Sequence, residues 1–213
     1  MTALHRWLIA LLLTALAVVV CYLWVDRPLA LLAHAHNAQR EAFASLTHLP
    51  DLLNPLSVIA FVFFGLWALS GRPMAKAVTA GALASISLIV AEATKMQLKF
   101  AFGRYWPDTW VQNNPSFIRD GAYGFNPFHG GPGYASFPSG HTAVTCAVIS
   151  VVWIMFPKLR LPGALIVLAV AVGLIGANYH FLSDVIAGGF VGTSSGWMTV
   201  AIWRARQEQV APP

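Results

Sequence analysis

Phe137-Pro138-Ser139-Gly140-His141-Thr142-Ala143 places a hydroxyl, a flexible backbone position and an imidazole directly ahead of a long apolar run. A helix opening at Ser139 takes that serine as its N-cap, and the amides that follow are the unpaired donors every helix start must offer to something. Such a terminus draws phosphate. The same residues also suit the plain start of a membrane helix, with Pro138 and Ser139 as its opening signal. The rest of the chain has to decide between the two.

Of 213 residues, 57% are hydrophobic and only 10% are charged, a balance too apolar for a soluble domain of this size. The chain reads as one all-α membrane domain over 1–213, a six-helix transmembrane bundle with a long outer loop between helices three and four. The expected spans are 7–25, 55–70, 75–102, 141–156, 162–177 and 184–203. The first holds nineteen residues without a charge, enough to cross a hydrocarbon core of about 30 Å. Its rival reading is a cleaved signal peptide, but the small-x-small triplet Ala33-His34-Ala35 lies well past the end of the run, which favours a retained span. A short interfacial helix is expected over 30–46, with His34, His36 and His48 on a solvated face rather than around a metal. Cys21 and Cys146 fall in apolar runs and read as small buried hydrophobes. In the last span Gly188, Gly192 and Gly196 recur every four residues, a packing stripe that lets another helix approach.

Arg6, Arg72, Lys76, Lys158, Arg160, Arg204 and Arg206 fall at one set of helix ends, accompanied there only by Glu208. The opposite ends carry Arg27, Arg40, Arg104 and Arg119 against Asp26, Glu41, Asp51, Asp108 and Asp120. By the positive-inside rule both termini are cytoplasmic, and the 103–138 loop and Ser139 face outward. The net charge of +5 therefore reports topology, not a nucleic-acid partner.

Three stretches then meet at the outer surface: the end of span three, the start of span four and the junction of spans five and six. In the junction, His180 and Asp184 are four apart, so on a helical turn the carboxylate can hold one ring nitrogen. Ser183 and Asp184 could equally cap span six. Lys99 lies near a helix end, where lysines ordinarily snorkel to the headgroups. Glu92 and Lys95 lie deeper, three apart, either neutralising each other or serving a site.

A lysine followed by Arg and Pro, then Ser136-Phe137-Pro138-Ser139-Gly140-His141-Thr142-Ala143, then His180-x-x-x-Asp184, in that order, resembles the type 2 phosphatidic acid phosphatase superfamily of membrane lipid phosphatases. The resemblance runs from Lys99 to Gly189, and its middle motif is the specific part. It implies His180 as nucleophile forming a phosphohistidine, Asp184 fixing its tautomer, and His141 as the acid that protonates the departing oxygen and later helps water attack. It further implies Lys99, Arg104, Ser139 and Gly140 around the phosphate oxygens, with no metal or other cofactor.

Two positions depart from the family pattern. Counting from Lys99, the expected Arg-Pro is Trp106-Pro107; Arg104, two residues earlier and pointing the same way in an extended segment, is expected to substitute, while Lys95 offers an alternative register. The Ser-Arg pair expected ahead of His180 is Gly173-Leu174. Asn178, Arg119 and His129 are the possible substrate contacts that could fill the gap, and Trp106 is a further possible contact. The substrate implied is a membrane lipid phosphate, with isoprenyl pyrophosphate, phosphatidic acid, phosphatidylglycerol phosphate and lipid A all open. The family reading also puts the site at the periplasmic face of a bacterial inner membrane. Its rivals are a phosphotransferase between lipids and a degenerate member that binds phospholipid without chemistry. Oligomeric state is not legible.

Overall fold

The computed structural model describes residues 2–110 and 112–210. Among the described residues there is no β-strand, only isolated bridges within the long loop. Helix α1 (Ala3–Val20) opens at Thr2, whose side-chain oxygen accepts from the His5 amide, and runs through a π turn at Cys21–Val25 into α2 (Asp26–Ala35). The expected interfacial helix over 30–46 is not one element. Instead α2 stops at Ala35, a 3-10 turn covers Asn37–Gln39, and α3 (Arg40–Ser45) follows.

Helix α4 (His48–Leu69) begins well before residue 55, because Pro55 lies inside the helix and does not open it. There follow α5 (Lys76–Phe102), the single turn α6 (Phe117–Asp120), α7 (Gly140–Met155), α8 (Arg160–Gly176) and α9 (Leu182–Val210). Among the described residues, five helical stretches are long and apolar enough to cross a membrane: Ala3–Ala35, Arg40–Leu69, Lys76–Phe102, Pro157–Gly176 and Leu182–Gln209. Gly140–Met155 is a shorter apolar helix, and it is the most enclosed. Leu12 and Leu16 on α1 and Ile59 and Leu66 on α4 are exposed, as side chains facing lipid must be.

Helices α5, α7 and α9 form the centre, and α7 against α9 is the most extensive helix contact. The glycine stripe explains how close they come. A Cβ at Gly192 would lie 2.1 Å from the Ala143 carbonyl oxygen, and one at Gly188 would lie 2.4 Å from that of Ser139. Serines tie the third helix in: Ser87 Oγ donates to the Ala147 carbonyl at 3.0 Å, and Ser195 Oγ donates to that of Ser87 at 2.6 Å. Because α9 presses on the first turn of α7, the start of each is fixed beside the other. The Ser139 amide donates to the Asp184 carbonyl at 3.0 Å.

The described part of the 103–138 loop is tied back to the end of α5 by the Asn126 and Phe128 amides. Gly103 ends α5 at φ 54, and any Cβ there would fall 1.9 Å from the Asn126 carbonyl oxygen, so only glycine fits. Backbone bonds from Tyr105 to Gly124, Asn126 to Gly103 and Ser136 to Arg104 wrap the segment around Arg104.

Candidate active site

His180 sits in the turn between α8 and α9, with Asn178 in the left-handed region and the Tyr179 and His180 amides both donating to the Leu174 carbonyl. Asp184, in the first turn of α9, reaches back to accept from the Phe181 amide at 3.0 Å, closing the helix start in the manner of a capping box. The same oxygen lies 3.4 Å from His180 Nδ1 and accepts from Ser136 Oγ at 2.6 Å. Capping and imidazole holding, alternatives in the sequence, are thus done by one carboxylate. Since a carboxylate only accepts, the proton stays on Nδ1 and the Nε2 lone pair is free. Burial pushes the His180 pKa down to about 4 against the pull of Asp184, so the ring is neutral at ordinary pH.

Beneath this pair lies a network that the sequence did not announce. Arg104 is fully buried. Its Nη1 donates to Asp184 at 2.5 Å and to Ser183 Oγ at 2.6 Å, and its Nη2 donates to Asp26 at 2.8 Å. Asp26 also accepts from the Ser183 amide and hydroxyl. Phe181 and Phe125 flank the guanidinium at 4.4 and 4.9 Å. Burial alone would weaken its hold on its proton, but Asp184 and Asp26 more than reverse that and raise its pKa. Arg104, expected at the phosphate, is placed otherwise in the structure: both terminal nitrogens are taken, and the residue is absent from the cavity wall. What it does touch is the carboxylate that orients His180.

A cavity of about 400 Å³ opens above His180. His141 and Gly140 line it from α7, Lys95 and Lys99 from α5, Trp106 and Trp110 from the loop, and Asp51 and Asn54 from α4. The two imidazoles expected to meet do share this cavity. Lys95 Nζ lies against Gly140, where a Cβ would come within 2.7 Å of it, and pairs with Glu92 at 2.8 Å. Lys99 donates to the Ala135 carbonyl and sits 5.4 Å from the Trp106 ring centre. Trp106, standing where the resemblance expects arginine, covers the His180 ring at 5.1 Å and donates to the Pro132 carbonyl.

Ser139 also differs from expectation. Its side-chain oxygen is buried at the N-cap of α7, bonded to the Thr142 amide and hydroxyl, and does not line the cavity. The plain capping role accounts for it, and Gly140 alone of the pair borders the space. None of Asn178, Arg119 and His129 lines the main cavity. Asn178 donates to the Ala30 carbonyl and accepts from Trp110 at its own carbonyl, so it holds the turn. Arg119 bonds Asp120 and the Asn114 carbonyl out in the loop. His129 packs on Tyr134 and lines a smaller neighbouring cavity of about 330 Å³ that shares Lys99. Leu174 is fully buried among Val170 and Val185. Among the wall residues that sequence reasoning gave no role, Asp51 stands out: it was legible only as one more charge at an outer helix end, yet its carboxylate lies 3.0 Å from His141 Nε2.

Fold and site together define an integral membrane protein with an open cavity, lined by two lysines and by two imidazoles, one of them neutral and held by a buried carboxylate. The profile of the PAP2 superfamily matches residues 77–208. A lipid A 1-phosphatase of Rhizobium johnstonii is 28% identical over 200 residues, covering 86% of this chain and 75% of that protein. A lipid A 1-phosphatase of Rhizobium etli is 35% identical over 105 residues, covering 48% and 40% respectively. The crystal structure of a transmembrane PAP2 type phosphatidylglycerolphosphate phosphatase from Bacillus subtilis shares the fold at a TM-score of 0.55 and 15% identity, covering 97% of this chain and 98% of that one. The chain belongs to the PAP2 superfamily, and with its relatives it is an enzyme of the phosphatase type.

Proposed function

We propose that the protein hydrolyses the phosphate ester or diphosphate of a membrane lipid at the non-cytoplasmic face, through a phosphohistidine on His180. The observation that carries this reading is the His180–Asp184 contact at the floor of a cavity that also holds His141 and two lysines. His180 Nε2 attacks phosphorus, and the positive charge developing on the ring is matched by Asp184. His141 gives a proton to the departing lipid oxygen and then draws one from the water that cleaves the phosphohistidine, regenerating His180 and releasing phosphate. Lys95, Lys99 and the Gly140 amide face the charge that phosphoryl transfer spreads over the equatorial oxygens. The cavity lies at the helix ends poor in Lys and Arg, which supports the outward orientation and, in a bacterium, the periplasmic side of the inner membrane.

The lipid A 1-phosphate is the first substrate to try, because that is the activity both rhizobial relatives are named for. Phosphate release from a panel of lipid phosphates by the purified protein and by His180→Ala tests the proposal. Release from at least one lipid, lost in His180→Ala, is expected. Inertness toward every lipid, with no orthovanadate binding, would refute it and favour a phospholipid-binding role; phosphate passing between lipids without release would favour a transferase.

A further inference from the structure

The same cavity is lined by a second carboxylate–imidazole contact. The first turn of α4 supplies it: Asp51 Oδ1 lies 3.0 Å from His141 Nε2, while its other oxygen is 3.6 Å from His48 Nδ1. Beside it, Asn54 presents a side-chain oxygen that is buried and has no hydrogen-bond partner among the described residues. We infer that Asp51 is a positioning residue for proton transfer, fixing the orientation and tautomer of His141 as Asp184 does for His180. This rests on the phosphatase reading above.

A carboxylate accepts and cannot donate, so the hydrogen in the Asp51–His141 contact belongs to Nε2. Among the described residues nothing bonds His141 Nδ1, which makes Nδ1 the nitrogen whose proton is free to move. The two rings therefore work in opposite senses. His180 keeps its hydrogen on Nδ1 and offers Nε2 to phosphorus; His141 keeps its hydrogen on Nε2 and exchanges a proton at Nδ1 with the leaving oxygen, then with water. In the first step the P–O bond to the lipid breaks as His141 Nδ1 delivers its proton to that oxygen. In the second, Nδ1 takes a proton from the attacking water while the P–N bond to His180 breaks.

A carboxylate next to a phosphate site opposes anion binding, so its presence calls for a compensating use. Its ordinary structural use, an acid in the first turn of a helix, accounts for its position along α4 but not for its direction toward His141. Nor is the pair a stabilising bridge of note, since the Asp51 side chain is 56% exposed and the His141 side chain 33%, and exposed ion pairs contribute little. The remaining consequence is chemical.

The test separates a proton-transfer role from a general one by changing the leaving group. Full-length protein in detergent micelles is assayed for kcat/KM, which reports the steps through departure of the alcohol, on a lipid phosphomonoester and on p-nitrophenyl phosphate. The phenolate departs without a proton; the lipid alkoxide does not. Asp51→Asn should lower kcat/KM for the lipid by about tenfold to a hundredfold, within the range of acid catalysis. It should change that for p-nitrophenyl phosphate by less than about threefold, and add no further loss in a His141→Ala background. Equal losses on both substrates, no loss on the lipid, or additive losses would overturn the inference. A second measurement does not depend on turnover. In ¹⁵N-histidine-labelled protein, with His141 assigned by its absence in His141→Gln, a hydrogen-bonded Nε2 proton is expected in the wild type and should move upfield or exchange away in Asp51→Ala. An unchanged resonance would overturn the contact itself. If the wild type releases phosphate from neither substrate, the phosphatase reading fails, and the resonance still decides whether Asp51 holds His141.

Discussion

Replacing Arg104 with Met removes the one positive charge between Asp26 and Asp184, all three side chains being fully buried. At a charge separation of about 4 Å and an effective dielectric constant of about 20, each ion pair is worth about 4 kcal/mol of attraction. The two do not simply add, because the mutation also relieves the cost of burying the guanidinium and lets a carboxylate take up a proton. Breaking such a buried arrangement by removing one member leaves uncompensated charge and costs about 3–5 kcal/mol. Arg104→Met should therefore lower stability by that amount, measured by chemical unfolding in mixed micelles at neutral pH. Adding Asp26→Asn, which removes one stranded charge, should recover part of the loss. Turnover should fall as well, since Asp184 loses the donor that fixes it under His180. Orthovanadate binding to the folded fraction should persist, because Arg104 does not border the cavity. A variant with wild-type stability and vanadate affinity weakened more than tenfold would refute the reasoning, for it would mean that the guanidinium reaches the anion. Arg119→Met, whose partners lie in the loop, should leave stability and turnover unchanged.

Lys95→Met and Lys99→Met should each weaken orthovanadate binding by about tenfold or more without unfolding the protein, a pattern opposite to that of Arg104→Met. Gly192→Ala forces a methyl to within 2.1 Å of the Ala143 carbonyl and should cost about 1–3 kcal/mol in the same unfolding assay. Because His180 stays neutral down to about pH 4, its protonation should remove the nucleophile only below that point. Any loss of kcat/KM between pH 6.5 and 5 then comes from another group, and a ¹⁵N titration giving His180 an ordinary pKa near 6.5 would contradict this. The sign for stability follows from a folded-state pKa below the unfolded one. The buried neutral ring costs nothing above about pH 6.5, and stability falls as the pH drops from there toward 4, where the unfolded chain binds the proton first.

The parts legible in the sequence were those carried by short-range pattern. Apolar run lengths marked the helices, the uneven placement of Lys and Arg ordered their ends, and His180-x-x-x-Asp184 is a contact within a single turn, which spacing alone can suggest. The stripe of Gly188, Gly192 and Gly196 was likewise readable as a seam. Contacts between distant stretches were not. Arg104 meets Asp26 and Asp184 across 78 and 80 positions, and His141 meets Asp51 across 90. Nothing periodic links such pairs. Arg104, read in an extended segment as facing the phosphate, instead bonds Asp184, Ser183 and Asp26 while Trp106 packs on His180, and the backbone bonds from Ser136 and Asn126 that fold this stretch join residues no spacing links. Pro55 misled in the other direction, because a proline inside a helix and one at its start look alike without the flanking structure.

Among the described residues no arginine lines the cavity, and this bears on what kind of site it is. A guanidinium grips two phosphate oxygens in a fixed plane, whereas an ammonium is a compact point charge with rotatable donors. With Trp106 over His180 and Leu174 in the apolar core, the positive charge facing the cavity comes from Lys95 and Lys99, one of them already paired with Glu92. Such a site holds an anion less rigidly, and orientation must come from elsewhere. Arg104 is placed accordingly: not on the cavity wall but against the carboxylate that holds His180, with Arg104, Asp26 and Asp184 all fully buried. A protein that only bound phospholipid would gain most from a protonated, donating ring, whereas His180 is neutral and turns its one hydrogen toward Asp184. The investment of buried charge in the direction of one nitrogen lone pair argues for attack on phosphorus as the step the site is organised to perform.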